Sequence, residues 1–325
     1  MKETVWIEDY RPKSLEDVSG QPQVTKYLKE YVKNKKIPHL LFSGPPGVGK
    51  TTCAQALARE IYGKGWRDYY VEMNASDERR LKDIREKVKK YAETAIIGED
   101  YKIIFLDECD HLDWQAQPAL RTIIEKNSDR CRFILSCNYP NKIIEPLVDR
   151  CVVFRFKKIH WKDIQLFLRK IAKERNINIT DSAMSTIGVL SRGSMRRALN
   201  TLQKIVLANV EKIDDEVVYD AFCYVDDSFV QNLLTYVDKG DLKKADKYMD
   251  SLLYDRVYAP EEIIASLRRL IKDSEVLDIK YKIQALKLLG DFAFRIDSGA
   301  SSDVQLKTYV VCLLDLYRRN ENEKR

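Results

Sequence analysis

The stretch from Leu40 to Thr52 constrains this chain more than any other. It runs from a short apolar strand through Gly-x-x-x-x-Gly-Lys-Thr into a helical pattern. A glycine-rich loop between a strand and a helix is the context of a phosphate-binding loop, because loop N–H groups and the helix N-terminus then face one phosphate chain. The residues expected to contact the nucleotide here are Gly44, Pro45, Pro46, Gly47, Val48, Gly49, Lys50, Thr51 and Thr52.

A second run predicts the acidic half of the same site. The segment 102–106 is apolar after Lys102, has the length of a strand, and is followed directly by Asp107 and Glu108. Lys50 would bind the outer phosphates, while Thr51 and Asp107 would hold a magnesium ion. Glu108 would orient and activate the water that attacks the terminal phosphate. The two motifs together predict an ATPase or a GTPase. The alternative is that the first motif is only a glycine-rich turn before a helix and the second only a strand that ends in a solvated turn.

Composition limits the remaining possibilities. The chain has 325 residues, of which 45% are hydrophobic, and a net charge of +6, which permits a nucleic-acid partner without demanding one. We find no apolar run long enough for a membrane span and no signal peptide, so we expect a soluble, intracellular protein without a membrane partner. The seven cysteines form no Cys-x-x-Cys pair, which argues against a zinc site and against a disulfide framework.

The pattern of apolar segments predicts the fold class. Apolar strands fall at 40–43, 69–73, 103–106, 133–137 and 152–156, separated by helical patterns. This alternation predicts an α/β core with a five-stranded parallel sheet and helices on both faces. From Trp161 onward the patterns are helical only. We therefore predict three domains: a nucleotide-binding core at 1–160, a small helical lid at 161–227 and an all-helical domain at 228–325.

Several strings outside the phosphate loop resemble one family. Residues 5–12 and 15–21 suggest a loop that lies against the core, and they are similar to the N-terminal box of clamp-loader ATPases, the archaeal-type replication factor C small subunits. These are members of the AAA+ ATPases. The strings 74–80, 149–151 and 193–199 are similar to further motifs of that family, so the resemblance covers nearly the whole chain. Arg80 and Asp149 depart from it, because glycine and serine are usual there.

The resemblance implies roles for further residues. Asn74 would be a switch that holds the catalytic glutamate away until DNA binds, and Asn138 would be a sensor of the terminal phosphate or the attacking water. Arg150 would reach a neighbouring subunit's ATP, and Arg196 would act within its own subunit. The expected contacts on the base side of the nucleotide are Tyr10, Arg11, Val18 and Gln21. The expected contacts to DNA phosphates are Arg79, Arg80, Lys82, Arg85 and Lys89.

The resemblance also implies a function and partners. It predicts an ATPase, stimulated by DNA and by the clamp, that uses ATP and Mg²⁺ to open the ring-shaped sliding clamp and load it onto primed DNA. The partners would be the clamp, primer-template DNA, a larger loader subunit and further copies of the small subunit, with the C-terminal domain as the collar of a five-membered ring. A prokaryotic cytoplasm and nucleoid association are expected, or the nucleus of a eukaryote. The alternatives are another ring-forming AAA+ DNA motor and a mainly structural loader subunit with little hydrolysis.

Overall fold

The computed structural model describes residues 5–75, 81–94, 98–222, 227–255, 258–274 and 277–323. The chain divides into two compact units, 1–214 and 215–325. The finer division of the first unit into a core and a lid remains a prediction. In the described residues no helix is long and apolar enough to cross a membrane.

The first unit contains a parallel sheet with helices around it. Its strands are β1 Leu40–Ser43, β2 Tyr70–Asn74, β3 Lys102–Asp107, β4 Cys131–Cys137 and β5 Val152–Arg155. Its helices are α1 Trp6–Asp9, α2 Pro22–Asn34, α3 Lys50–Tyr62, α4 Leu81–Glu93, α5 Ala116–Lys126, α6 Glu145–Val148, α7 Trp161–Glu174, α8 Asp181–Leu190 and α9 Met195–Leu207. Short 3-10 turns occupy Gly63–Asp68, Cys109–His111 and Pro140–Lys142.

The predicted five-stranded sheet is confirmed, and all of its pairings are parallel. The strand order is β2-β3-β4-β1-β5. In β1, Leu40 pairs with Ile134 of β4 on one side and with Val152 of β5 on the other. Because every strand runs in the same direction, the carboxyl ends of β1, β2, β3 and β4 meet at one edge, where α/β proteins bind their ligands.

Alternate residues of the central strands explain why both faces of the sheet are covered. Leu40 and Phe42 belong to one buried apolar cluster with residues of α2 and α3, whereas Leu41 belongs to the other cluster with residues of α4 and α5. Successive strand side chains point to opposite faces, so a run of apolar residues needs a helical layer on each side. The edge strand β5 is less covered, and Val152 and Val153 are half-exposed.

The N-terminal segment differs from the prediction of a loop. Residues Trp6–Asp9 form one turn of helix, and Trp6 is buried. The Trp6 backbone N–H donates a hydrogen bond to Oε1 of Gln203 in α9, at 3.0 Å. The expectation that this segment packs on the domain is confirmed, but residues 6–9 pack as a helical turn and not as a loop.

The second unit is helical throughout its described residues, as predicted. Its helices are α10 Asp215–Ala221, α11 Asp227–Asp238, α12 Leu242–Asp250, α13 Pro260–Asp273, α14 Ile279–Asp297 and α15 Ser302–Glu323, with a π-helical turn at Ser251–Asp255. The predicted start at Pro260 is confirmed, and Asp278 caps α14 by accepting a hydrogen bond from the Lys280 N–H at 2.8 Å. Tyr309 is fully buried in this unit's core and donates to the Ala285 carbonyl at 3.2 Å.

Candidate functional site

The loop between β1 and α3 has the backbone that a phosphate cradle requires. Gly47 and Gly49 have φ angles of 75° and 102°, in the left-handed region that favours glycine, and α3 begins at Lys50. Gly44 also has a positive φ, of 152°, and a Cβ there would collide with the Phe156 carbonyl. The loop is therefore held close to the chain that follows β5, with the positive end of α3 directed at its opening.

The Lys50 ammonium group has three hydrogen-bond acceptors, two in this loop and one at the end of β4. Its Nζ donates to the carbonyls of Gly44 and Pro45, at 2.6 and 3.0 Å, and to Oδ1 of Asn138 at 2.8 Å. Burial lowers the pKa of Lys50, and the nearby Asp107 carboxylate opposes that shift. An ammonium has three N–H donors, and all three have acceptors here, so a bound phosphate would replace at least one of them.

The end of β3 lies beside the start of α3. Thr51 Oγ1 donates to Oδ2 of Asp107 at 2.9 Å, and the Glu108 N–H donates to Oδ1 of the same carboxylate, also at 2.9 Å. A hydroxyl and one carboxylate fit a magnesium ion that takes its other ligands from water and phosphates. The described residues contain no cluster of three or more His, Cys, Asp or Glu side chains for a metal.

Glu108 has an unusual backbone at this edge. Its φ of 55° is in the left-handed region, which is uncommon for a residue with a side chain and occurs often at functional sites. Its carboxylate is half-exposed and lies 3.8 Å from Nδ1 of His111. On the neighbouring strand Asn74 is in register with Asp107. The predicted switch and the two acids therefore share one edge of the sheet.

Most predicted site residues line a single cavity. They are Tyr10, Arg11, Val18, Pro46, Gly47, Val48, Gly49, Lys50, Thr51, Thr52, Asp107, Glu108, Asn138 and Arg196. Gly44 and Pro45 contribute their carbonyls to Lys50 instead. Sequence reasoning missed the apolar part of the wall, which includes Ile7, Phe167 and Leu199. Phe167 and Leu199 lie in amphipathic helices, where one more apolar residue gives no sign that it faces a ligand.

Gln21 was predicted to contact the base of the nucleotide, but its side chain makes other contacts in the structure. It is buried, and its amide Nε2 donates to the carbonyls of Val48 and Lys157, at 3.3 and 2.7 Å. Its Oε1 accepts from the Lys157 N–H at 3.3 Å. Gln21 therefore does not line the cavity, and it joins the phosphate loop to the chain after β5 through the buried Val48 carbonyl and the partly buried backbone of Lys157.

The N-terminal wall of the cavity is anchored by a residue that the sequence did not reveal. Arg175, directly after α7, donates to the Tyr10 hydroxyl at 2.6 Å, and its guanidinium lies 4.5 Å from the centroid of the Trp6 ring. The Tyr10 hydroxyl donates in turn to Oε1 of Glu174 at 3.3 Å. This cation–π contact and the two hydrogen bonds hold Tyr10 at the cavity wall.

Helix α9 begins against the phosphate loop. The predicted cap is confirmed, because Ser194 Oγ accepts from the Arg197 N–H at 3.3 Å. The Met195 N–H donates to the Gly47 carbonyl at 3.0 Å. This contact lies directly beside Arg196, which lines the cavity wall, and the role of Arg196 towards a nucleotide stays a prediction.

Arg150 is bound elsewhere in the same unit. Its guanidinium donates to the Pro146 carbonyl at 2.8 Å and forms an ion pair with Glu125, which also accepts from Arg121 at 3.0 Å. Among the described residues, the cavity wall includes Arg196 but not Arg150. Asp149, which replaces the usual serine, follows α6 directly and is exposed.

The predicted DNA-binding face is described only in part. Arg79 and Arg80 lie outside the described residues, and so do the side chains of Lys82 and Arg85. Lys89 is exposed on α4, and its Nζ lies 3.7 Å from a carboxylate oxygen of Glu93. The DNA contacts of this helix remain a prediction.

Comparison with known proteins identifies relatives of both units. Residues 40–158 match the ATPase family associated with various cellular activities, and residues 225–312 match the replication factor C C-terminal domain. The replication factor C small subunit of Methanosarcina mazei is 42% identical over 94% of both chains. That of Archaeoglobus fulgidus is 41% identical over 97% of this chain and 98% of the relative.

A likeness to solved structures supports the fold. The RuvB Holliday junction branch migration motor of Thermotoga maritima superposes with a TM-score of 0.56 at 20% sequence identity, over 79% of this chain and 90% of that one. At this identity the likeness concerns the fold alone.

Proposed function

The chain belongs to the replication factor C small-subunit family, and from that premise we propose how its site hydrolyses ATP and on which partners it acts. It is an ATPase subunit of a clamp loader. The observation that carries the mechanism is the single cavity shared by Lys50, Asp107, Glu108 and Asn138.

The nucleotide would be bound by both ends of the cavity. The N–H groups of the phosphate loop and the start of α3 take the phosphates, and Lys50 exchanges one of its protein acceptors for the outer phosphate. The apolar side chains of Ile7, Val18 and Leu199 suit the flat face of a base. Arg196 then lies where it can neutralise phosphate charge within the subunit.

Hydrolysis would be carried out by residues at the edge of the sheet. Thr51 and Asp107, which lie within hydrogen-bond distance of each other, would hold magnesium, and the ion would neutralise charge on the phosphates. Glu108 orients the attacking water and accepts its proton, and Asn138 hydrogen-bonds the terminal phosphate or that water. Asn74, in register with Asp107, would hold Glu108 away from the water until DNA binds.

The partners follow from the family. We propose that ATP binding assembles a ring of small subunits with a larger subunit, that this ring opens the sliding clamp around primer-template DNA, and that hydrolysis releases both. DNA and the clamp would then stimulate the ATPase. The RuvB likeness lends no weight to a branch-migration motor, because it concerns the fold alone. Presence of Lys50, Asp107, Glu108 and Asn138 in one cavity favours hydrolysis over a mainly structural subunit.

Two substitutions test these roles. We expect Glu108→Gln to keep ATP affinity and to lose hydrolysis, because it removes the water-orienting carboxylate and leaves the phosphate loop intact. We expect Lys50→Ala to weaken ATP binding itself. ATP affinity and single-turnover hydrolysis are measured for both variants. Glu145→Gln, the same charge change at an exposed position on α6, is the control. Equal loss of ATP binding in both variants would contradict the role assignments.

A further inference from the structure

Asp110 is a buried carboxylate that contacts the backbone of Asn138 and Tyr139 and does not line the nucleotide cavity. It lies in the 3-10 turn Cys109–His111 after β3 and is 5% exposed. Its Oδ2 accepts two backbone hydrogen bonds, from the N–H groups of Asn138 at 3.2 Å and Tyr139 at 3.1 Å. These are the first two residues after β4. One carboxylate oxygen therefore fixes the backbone where β4 ends.

The other oxygen of this carboxylate, Oδ1, makes its burial unfavourable for the stability of the fold. Oδ1 is buried and has no hydrogen-bond partner. Among the residues whose side chains the structure describes, no cation forms an ion pair with Asp110. A buried, incompletely bonded carboxylate destabilises a fold relative to a neutral residue in its place. Groups of this kind are expected where function, and not stability, sets the residue type.

The backbone that Asp110 holds leads directly into the site. The Asn138 side chain accepts from Lys50 at 2.8 Å. Lys50 in turn is bound to the phosphate loop. A shift of the Asn138 backbone would move its carboxamide away from this position, because only the short side chain separates the two groups.

We propose that Asp110 is a positioning residue for ATP hydrolysis, which holds the backbone of residues 138 and 139 so that the Asn138 carboxamide faces the terminal phosphate. The proposal rests on the proposed ATPase mechanism. It assigns Asp110 no contact with substrate. Asp110 affects the rate of ATP hydrolysis only by positioning Asn138.

The negative charge of Asp110 also acts on neighbouring groups, and this effect has to be distinguished from that of its hydrogen bonds to the backbone. Burial raises the pKa of Cys137 to about 12, and the Asp110 carboxylate adds to that shift. The same carboxylate opposes the lowering of the Lys50 pKa by burial. An asparagine at 110 removes this charge but keeps an oxygen that can accept both N–H groups. Alanine removes the charge and the acceptor together.

The experiment measures kcat for ATP hydrolysis by the assembled full-length protein and ATP affinity with a fluorescent analogue. We expect Asp110→Ala to lower kcat about tenfold or more while the dissociation constant changes less than about threefold. Asp110→Asn should stay within about threefold of the wild-type kcat. The control is Asp113→Ala, which removes an exposed carboxylate three residues away and should have no effect.

A double-mutant cycle tests the route through Asn138. Asp110→Ala combined with Asn138→Ala should be no slower than Asn138→Ala alone, because a displaced sensor and an absent sensor lose the same interaction. Losses that multiply would overturn the proposal. So would an Asp110→Asn variant as slow as Asp110→Ala, since charge would then be the cause.

Folding is followed by thermal melting in every variant. If Asp110→Ala is unfolded, Asp110→Leu replaces it, because leucine fills a similar volume without an acceptor. If no variant without an acceptor folds, Asp110 is a folding residue and the proposal is wrong. A Glu108→Gln variant with the wild-type rate would instead refute the proposed ATPase mechanism. A wild-type rate in Asp110→Ala, with Glu108→Gln inactive, would refute this inference alone.

Discussion

Arg150 is predicted to act on ATP that is bound by a neighbouring subunit. Its guanidinium is held by the Pro146 carbonyl at 2.8 Å and by Glu125. The cavity wall already contains two arginines, Arg11 and Arg196. The perturbation is Arg150→Ala, and Arg150→Lys is compared because lysine keeps the charge without the planar fork that can bridge a phosphoryl group.

The expected size of each effect follows from the general contribution of arginine fingers and from the contacts of Arg150. An arginine finger contributes on the order of 10³ or more in rate, so we expect a loss of at least that size in the assembled protein and little recovery with lysine. ATP affinity should be unchanged, because Arg150 is not part of the wall that binds the nucleotide. The melting temperature should change little, since the ion pair with Glu125 is accessible to solvent.

The assay mixes Arg150→Ala with Lys50→Ala in one oligomer. Neither variant hydrolyses ATP alone, but an interface is competent where Arg150 of a Lys50→Ala subunit meets the intact phosphate loop of an Arg150→Ala subunit. In random, equal mixing each half of such an interface is present about half of the time, so about a quarter of the wild-type rate should return in a head-to-tail ring. Native mass spectrometry establishes that the oligomers are mixed.

The refuting result is the absence of recovery in mixed oligomers. Arg150 would then act within its own subunit or only hold the interface together. Arg121→Ala is the matched control, because Arg121 also pairs with Glu125, its Nε lying 3.0 Å from the same carboxylate. That variant should keep the wild-type rate, and a loss equal to that of Arg150→Ala would point to the shared ion-pair cluster instead of a finger.

Three further predictions concern DNA binding and stability. The triple alanine variant at Lys82, Arg85 and Lys89 should bind DNA more weakly without a change in sequence preference, and its salt slope should fall by about one unit per lost phosphate contact; an unchanged slope would mean that this face is only solvated. Burial, aided by Arg132, lowers the pKa of His39 from 6.5 to about 4, so the unfolded chain binds this proton more readily and stability should be lost as pH falls from 6.5 towards 4. His39→Gln should lose less over that range in pH-dependent denaturation. Gln21→Ala should lower the free energy of unfolding by about 1–3 kcal/mol in urea denaturation, because it leaves the buried Val48 carbonyl and the partly buried Lys157 backbone without these partners. A change below about 0.5 kcal/mol would contradict the role of Gln21 in joining the two segments.

The sequence was sufficient for those parts of the site that are local in the chain. A phosphate loop needs particular residues at fixed spacing, because successive N–H groups must face one ligand, and so Gly47, Gly49, Lys50 and Thr51 could be identified directly. The apolar strand before Asp107 determined in the same way that two carboxylates would stand at the end of a buried strand. The five strands were also predictable, since each is a short apolar run.

Tertiary structure decided the contacts between segments that are distant in sequence. No local sequence pattern predicts that Gln21 hydrogen-bonds the Lys157 backbone, or that the Arg175 guanidinium lies over the Trp6 ring. Each pairing depends on how separate elements pack. The helical turn at Trp6–Asp9 was not predicted either, and there the Trp6 N–H bonds to Gln203, which is distant in sequence. Asp110 is the clearest case. Two residues after Glu108, it looks in the sequence like one more acid after a strand, and only the pairing of β3 with β4 brings its carboxylate to the backbone N–H of Asn138.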